Sequence, residues 1–172
     1  MRILLRTLLY LSLVVWLGAE IFFPVVAAIA FSTLQPDTHA AGTIVAQLLH
    51  ILHGMGLVAG AVALVMLVLA PFVHMYKPKM VVAPIMLLLL MLLLTAYSQF
   101  GIIPAMARDR MSADGAIDEP DTTNLNWIDF NRLHHRAEHV EETILLLGLA
   151  TVTLGPRWRR RRRREQGIGS RE

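Results

Sequence analysis

The chain contains no cysteine, few charged residues and no polar stretch long enough to form a soluble domain. Without cysteine, a disulfide framework and a thiolate metal site are both excluded. Charged residues make up 17% of the 172 residues, 55% are hydrophobic, and the mean hydropathy is +0.54. A soluble domain has no need for so much apolar surface. The composition therefore predicts an all-α integral membrane protein.

Motifs for several common enzyme classes are also missing from the chain. No stretch resembles a nucleophilic triad, a phosphate-binding loop or a dinucleotide fingerprint, so no catalytic residue is predicted. The formal net charge is +3, and most of this excess comes from Arg157 and the run Arg159 to Arg164. Because this block directly follows an apolar segment, its expected partners are anionic lipid headgroups and not nucleic acid.

Four apolar segments predict a four-helix transmembrane bundle. The expected helices are residues 4–33, 40–74, 80–103 and 128–155, which form one domain of residues 1–155 followed by a basic tail of residues 156–172. The first apolar run, Leu8 to Phe31, exceeds the roughly 7–15 residues of a signal-peptide core, so we expect it to remain as a helix. The polar stretch Ala105 to Trp127 has the size of a loop.

The basic residues predict the orientation of the bundle. After four crossings, Arg2 and Arg6, Lys77 and Lys79, and the arginine block fall on one side, whereas the other two connections are neutral to acidic. Both termini are therefore expected in the cytoplasm, in a cell membrane that would be the inner membrane of a bacterium.

The fourth helix combines a polar half with an apolar half. The apolar run Thr143 to Leu154 is too short to cross a bilayer, which needs about 20 helical residues. If this helix spans the membrane with Arg157 at one surface, Glu142 lies about 22 Å from that surface, inside a core about 30 Å thick. Ionisable groups at such depths are costly and often functional.

Polar residues from all four helices are expected at this depth, in the outer half of the bundle. Spacings such as His50-x-x-His53 allow two side chains of one helix to reach one ion, and facing His and Glu residues can build metal or haem sites. On the fourth helix, Leu133, Ala137 and Val140 are expected to face lipid. The candidate metal ligands are Glu20, His50, His53, His135, Glu138, His139 and Glu142.

Three classes of function remain open at this point. The first is a protein that binds a divalent metal or haem, and the second is a proton-coupled transporter of a small solute. The third is a structural or assembly protein without a ligand, whose polar layer sets the helix register. Transport ranks below binding because the inner half of the bundle has no second polar layer. A homo-oligomer is a further open alternative.

Two segments resemble a known family. The first-helix sequence Trp16-Leu17-Gly18-Ala19-Glu20-Ile21-Phe22-Phe23 is similar to the first-helix signature of the transmembrane protein 205-like family (domain of unknown function 4149). The stretch from Phe130 to His139 resembles the second marked segment of that family. The resemblance covers Leu8 to Leu154 and implies a small multi-pass membrane protein with no settled activity. It singles out Glu20 and His134 as family-like polar positions.

The orientation can be tested with reporter fusions. Fusions after Asp37 and Ser112 should report the outer side of the membrane, and fusions after Pro78 and at the C-terminus the cytoplasm, because basic connections stay inside. A C-terminus located outside would contradict the four-crossing topology.

Overall fold

The structure is a computed structural model that describes residues 1–112 and 123–154. Helices make up nearly all of these residues, and no strand occurs among them. The helices are α1 (Arg2–Thr33), α2 (Thr38–Leu69), α3 (Pro78–Tyr97), a π-helical turn (Ser98–Ile102), α4 (Ile103–Ser112) and α5 (Leu125–Leu154). The predicted all-α membrane bundle is confirmed, and the tail of residues 156–172 lies outside the described residues.

The chain folds as an antiparallel helical hairpin extended by two further long helices. α1 packs most closely against α2, α3 packs against α2, and α5 packs against α3 and α1. The first turn is tight because the Asp37 side chain accepts a hydrogen bond of 2.8 Å from the backbone N–H of Ala40 and caps α2. The second turn ends at Pro78, which occupies the first helical position, where no backbone N–H is needed.

The bundle core depends on close contact between α1 and α2. Trp16 is 1% exposed, and its indole ring lies against Gly56 and Gly60 of α2. A β-carbon built on Gly56 would lie 2.6 Å from Trp16 Nε1, so even alanine would not fit without movement. Small residues of this kind let membrane helices approach closely. The rest of the core is apolar and consists mainly of Leu9, Leu13, Ala63, Leu67, Val81, Leu88, Met91 and Ile144.

The third predicted helix is longer than the sequence indicated. It continues through the π-helical turn and α4 as far as Ser112, whereas a loop was expected from Ala105. Pro104 directly follows the π-helical turn, where the regular α-helical hydrogen-bond pattern is already interrupted, so the missing N–H of proline is tolerated there. The acidic residues expected in this loop, Asp114, Asp118, Glu119 and Asp121, lie outside the described residues. α2 also ends earlier than expected, at Leu69.

Three helical segments of the described chain are long and apolar enough to cross a membrane: Arg2–Thr33, Thr38–Leu69 and Pro78–Ser112. The first half of α5 carries too many charges to meet the same criterion. Its second half nevertheless packs in the middle of the bundle, where Gly148 contacts Leu17 and Met91. The fourth crossing and the orientation of the termini remain predictions.

The contact between Trp16 and α2 can be tested with glycine substitutions. Gly60→Ala would drive a methyl group into the Trp16 ring and Leu92, so we expect it to lower the free energy of unfolding by about 1–3 kcal/mol. Gly54→Ala is the matched control, because nothing lies within 4 Å of its added β-carbon. Unfolding by dodecyl sulfate in mixed micelles would measure both. Equal stabilities for the two variants would contradict the packing described.

Candidate functional site

Buried polar side chains from α1, α2, the π-helical turn and α5 meet at one level of the bundle. Glu20, His53, Ser98 and Gln99 are all buried, and the side chain of Glu141 is 17% exposed. At about 1.5 Å per residue, Glu20 lies about 27 Å from Arg2, and His53 about 24 Å from Leu69. The site therefore lies in the half of the bundle farther from the start of α1.

A hydrogen bond between His53 and Glu141 joins α2 to α5. The imidazole Nε2 of His53 lies 2.7 Å from Glu141 Oε1, and His53 is fully buried. The hydroxyl of Ser98 donates to the same carboxylate oxygen at 3.2 Å. One carboxylate oxygen of Glu141 thus bonds to groups from both α2 and the π-helical turn.

Glu20 completes a cluster of three ionisable groups, which we call the Glu–His–Glu cluster: Glu20, His53 and Glu141. The indole Nε1 of Trp16 donates to Glu20 Oε1 at 3.1 Å. Glu20 lies close enough to Glu141 and His53 to interact electrostatically with both. Two ionised carboxylates close to each other repel, so a proton on either of them stabilises the cluster.

A second polar pair lies beside the cluster. The Gln99 amide nitrogen lies 2.9 Å from Nδ1 of His50, whose residue is exposed at the surface of α2. Four buried side-chain atoms have no hydrogen-bond partner among the described residues, and three of them belong to this level: His53 Nδ1, Gln99 Oε1 and Glu141 Oε2. Buried polar atoms are normally paired. This level of the bundle therefore has unused capacity to bind a proton or a small polar group.

The four predicted ligands of α5 do not reach this site. His135 and Glu138 are more than half exposed, and His139 and Glu142 are 80% and 72% exposed. They pair with each other along the outside of the helix, at 3.0 Å from His135 to Glu138 and 3.5 Å from His139 to Glu142. Of the seven predicted ligands, the structure brings together Glu20 and His53, with His50 beside them.

The predicted rotation of α5 is wrong. Ala137, expected to face lipid, is 5% exposed, and Val140 packs against the core. The helix buries the apolar stripe Ala137, Ile144, Gly148 and Thr151 against α1 and α3. Glu141 lies next to this stripe and therefore points inward. Helical spacing of the small and apolar residues could have identified it.

Sequence reasoning also missed Trp16 and Ser98. The π-helical turn that carries Ser98 and Gln99 has no signature in the sequence, although such turns are frequent at functional sites. His134, the family-like position of α5, is half exposed and lies 3.4 Å from Glu138. Within the described residues, no group of three or more His, Cys, Asp or Glu side chains is arranged to hold a metal ion.

Comparison with known families gives one result. The model of the family "Domain of unknown function (DUF4149)" matches residues 11–113, more than half of the chain. The chain belongs to this family. The DUF4149 match includes Glu20, His53, Ser98 and Gln99 and ends before α5, so Glu141 and His134 lie beyond it. No curated protein and no solved structure matches the chain.

Because Glu141 points inward, it should contribute more to the free energy of unfolding than the neighbouring Glu142. Glu141→Ala leaves the buried imidazole of His53 without its partner, so we expect a loss of about 1–3 kcal/mol in the free energy of unfolding. Glu142→Ala, the control on the exposed face, should change it by no more than about 0.5 kcal/mol. Unfolding in mixed micelles measures both, and a larger loss for Glu142→Ala would contradict the observed rotation of α5.

Proposed function

We propose that this DUF4149 protein is a multi-pass protein of the cell membrane whose Glu–His–Glu cluster takes up and releases a proton. The convergence of Glu20 and Glu141 at the level of the buried imidazole of His53 is the observation that carries the proposal. Two acids and one base within hydrogen-bonding reach can hold different numbers of protons at little structural cost. A proton-coupled role in the transport of a small solute is consistent with such a site.

The cluster can exchange protons with one side of the membrane. Glu141 is partly exposed, and His50 and Gln99 continue the polar path towards the surface on the same side. Towards the start of α1, the cluster is followed by the apolar core residues Leu13, Leu9 and Leu67. These apolar residues block protons from that side. Protons would therefore reach the cluster from the end of the bundle where α1 ends and α2 begins.

A change in protonation would affect the packing of several helices. Trp16 holds Glu20 on α1, His53 belongs to α2, Ser98 belongs to the π-helical turn, and Glu141 belongs to α5. When both Glu20 and Glu141 are ionised, the two carboxylates repel each other. The cluster thus couples proton binding to the relative positions of α1 and α5.

Metal or haem binding, expected from the sequence, receives less support from the geometry. The outward-facing residues of α5 cannot join Glu20 and His53 in one coordination shell without a rotation of the helix that would expose Ala137 and Ile144. Of the inward-facing groups, His53 is already bonded to Glu141, and Glu20 is bonded to Trp16. A structural role for the cluster is therefore the main competitor, and the experiment below separates the two.

Trp16 supplies an optical probe of the cluster, because its indole donates directly to Glu20. With Trp127 and Trp158 replaced by Phe, the emission of Trp16 should change with pH as the Glu–His–Glu cluster gains or loses a proton. Glu20→Gln in the same background should abolish this change, because an amide does not titrate.

Glu138→Gln is the matched control, since it removes an exposed carboxylate of α5 that lies outside the cluster. It should leave the titration of Trp16 unchanged. A folded protein whose Trp16 emission stays constant across the pH range, or whose response survives Glu20→Gln, would rule out a proton-binding cluster and favour a purely structural role.

A further inference from the structure

A basic pocket lies at the opposite end of the bundle, where α1 begins and the α2–α3 turn passes. Its volume is about 250 Å³, and it is lined by Arg2, Ile3, Arg6, His74, Met75 and Tyr76. The turn is held in place by a hydrogen bond of 2.8 Å from Arg2 Nε to the carbonyl oxygen of Val73. His74 adopts a left-handed backbone conformation with φ of 54°, which is uncommon for a residue other than glycine.

An apolar groove continues from this pocket along the surface of α1. It has a volume of about 470 Å³ and is lined by Ile3, Arg6, Thr7, Tyr10, Leu11 and Val14. These residues follow helical spacing and form one stripe along α1. Ile3 and Arg6 line both cavities, so the basic pocket opens directly into the groove.

The charged residues that line the pocket, Arg2 and Arg6, are both basic. Neither cavity is lined by an acidic residue, and the first acidic residue of α1 is Glu20, which belongs to the Glu–His–Glu cluster. The Arg6 guanidinium lies over the Tyr10 ring, 5.6 Å from its centre, at the junction of pocket and groove. Arg2 uses Nε for the turn and keeps its terminal nitrogens for another acceptor.

Tyr76 adds a neutral donor to this pocket. Burial, together with the neighbouring Tyr10, raises the pKa of Tyr76 to about 12. Its hydroxyl therefore keeps its proton and can share a hydrogen bond with Tyr10 or with a ligand oxygen.

We propose that this composite site binds one anionic phospholipid, with the phosphate in the basic pocket and an acyl chain along α1. Arginine pairs well with phosphate oxygens, and basic pockets between transmembrane helices are suited to anionic headgroups. An acyl chain matches the apolar stripe, which runs from the membrane surface into the hydrocarbon region. The site is separate from the Glu–His–Glu cluster and uses none of its residues.

The test compares lipids that share acyl chains and differ in headgroup charge. Protein purified in a neutral detergent is titrated with phosphatidylglycerol, phosphatidylcholine or inorganic phosphate, and bound lipid is counted by native mass spectrometry. We expect one tightly bound phosphatidylglycerol, and at least about tenfold weaker binding of phosphatidylcholine. Equal binding of the two lipids, or occupancy by phosphate alone at the same concentration, would overturn the proposal.

Charge variants test whether the lipid headgroup binds to the arginines of α1. Arg2→Gln with Arg6→Gln should weaken phosphatidylglycerol binding about tenfold or more, because two charged hydrogen-bond donors are lost. Lys77→Gln with Lys79→Gln is the matched control, since it removes the same charge at the same end from residues that line neither cavity. An equal loss in the control would show unspecific attraction to a basic surface.

Leu11→Trp tests the groove with both arginines in place. The larger side chain should fill the groove and weaken binding of the diacyl lipid about tenfold. Because Leu11 is exposed on α1, the substitution should leave the fold of the protein unchanged. Circular dichroism and gel filtration check that each variant is folded. Should the double arginine variant fail to fold, unchanged lipid affinity in Leu11→Trp would still contradict the proposed site.

Discussion

The pairing of His53 with Glu141 is the constraint on which the arrangement of the bundle depends. An imidazole that is fully buried among apolar helices costs free energy unless its nitrogen finds a partner. Glu141 provides that partner from a different helix, at 2.7 Å. The bond therefore selects one rotation of α5 about its axis, and the same rotation buries Ala137 and Gly148.

Close helix contact makes this pairing possible. Glycines 56 and 60 let the Trp16 ring lie directly on α2, and Trp16 in turn orients Glu20 towards the cluster. On the other side, Gly148 allows α5 to approach Leu17 and Met91. The polar contacts thus depend on three glycines, whose lack of a side chain lets the helices approach each other. Larger residues at these positions would separate the helices before any polar atom was altered.

The fold was largely predictable because its signals are local. Long apolar runs define the helices, and the Asp37 cap and Pro78 mark the turns between them. The third helix was underestimated because the polar stretch from Ala105 suggested a loop, whereas the helix continues through the π-helical turn as far as Ser112. Such a turn depends on packing around Ser98 and Gln99, which short-range sequence patterns do not reveal.

The site was only partly predictable because polarity alone does not say which way a helix faces. Glu20 and His53 could be singled out because they are polar residues within long apolar stretches, and both are buried in the bundle. On α5 the many His and Glu residues suggested an inward polar face, but the helix gains more by burying Ala137, Ile144 and Gly148. Glu141 is inside because it adjoins this stripe, whereas its more numerous polar neighbours remain at the surface.

The off-centre depth of Glu20 has an electrical consequence. Counted from Leu8, this carboxyl lies about 18 Å into a hydrocarbon core about 30 Å thick. A proton that enters from the nearer face crosses somewhat less than half of the transmembrane voltage drop. Since a full crossing corresponds to about 2.3 kcal/mol per 100 mV, this partial crossing corresponds to roughly 1 kcal/mol. Occupancy of the cluster would then follow the membrane potential as well as the acidity of one compartment.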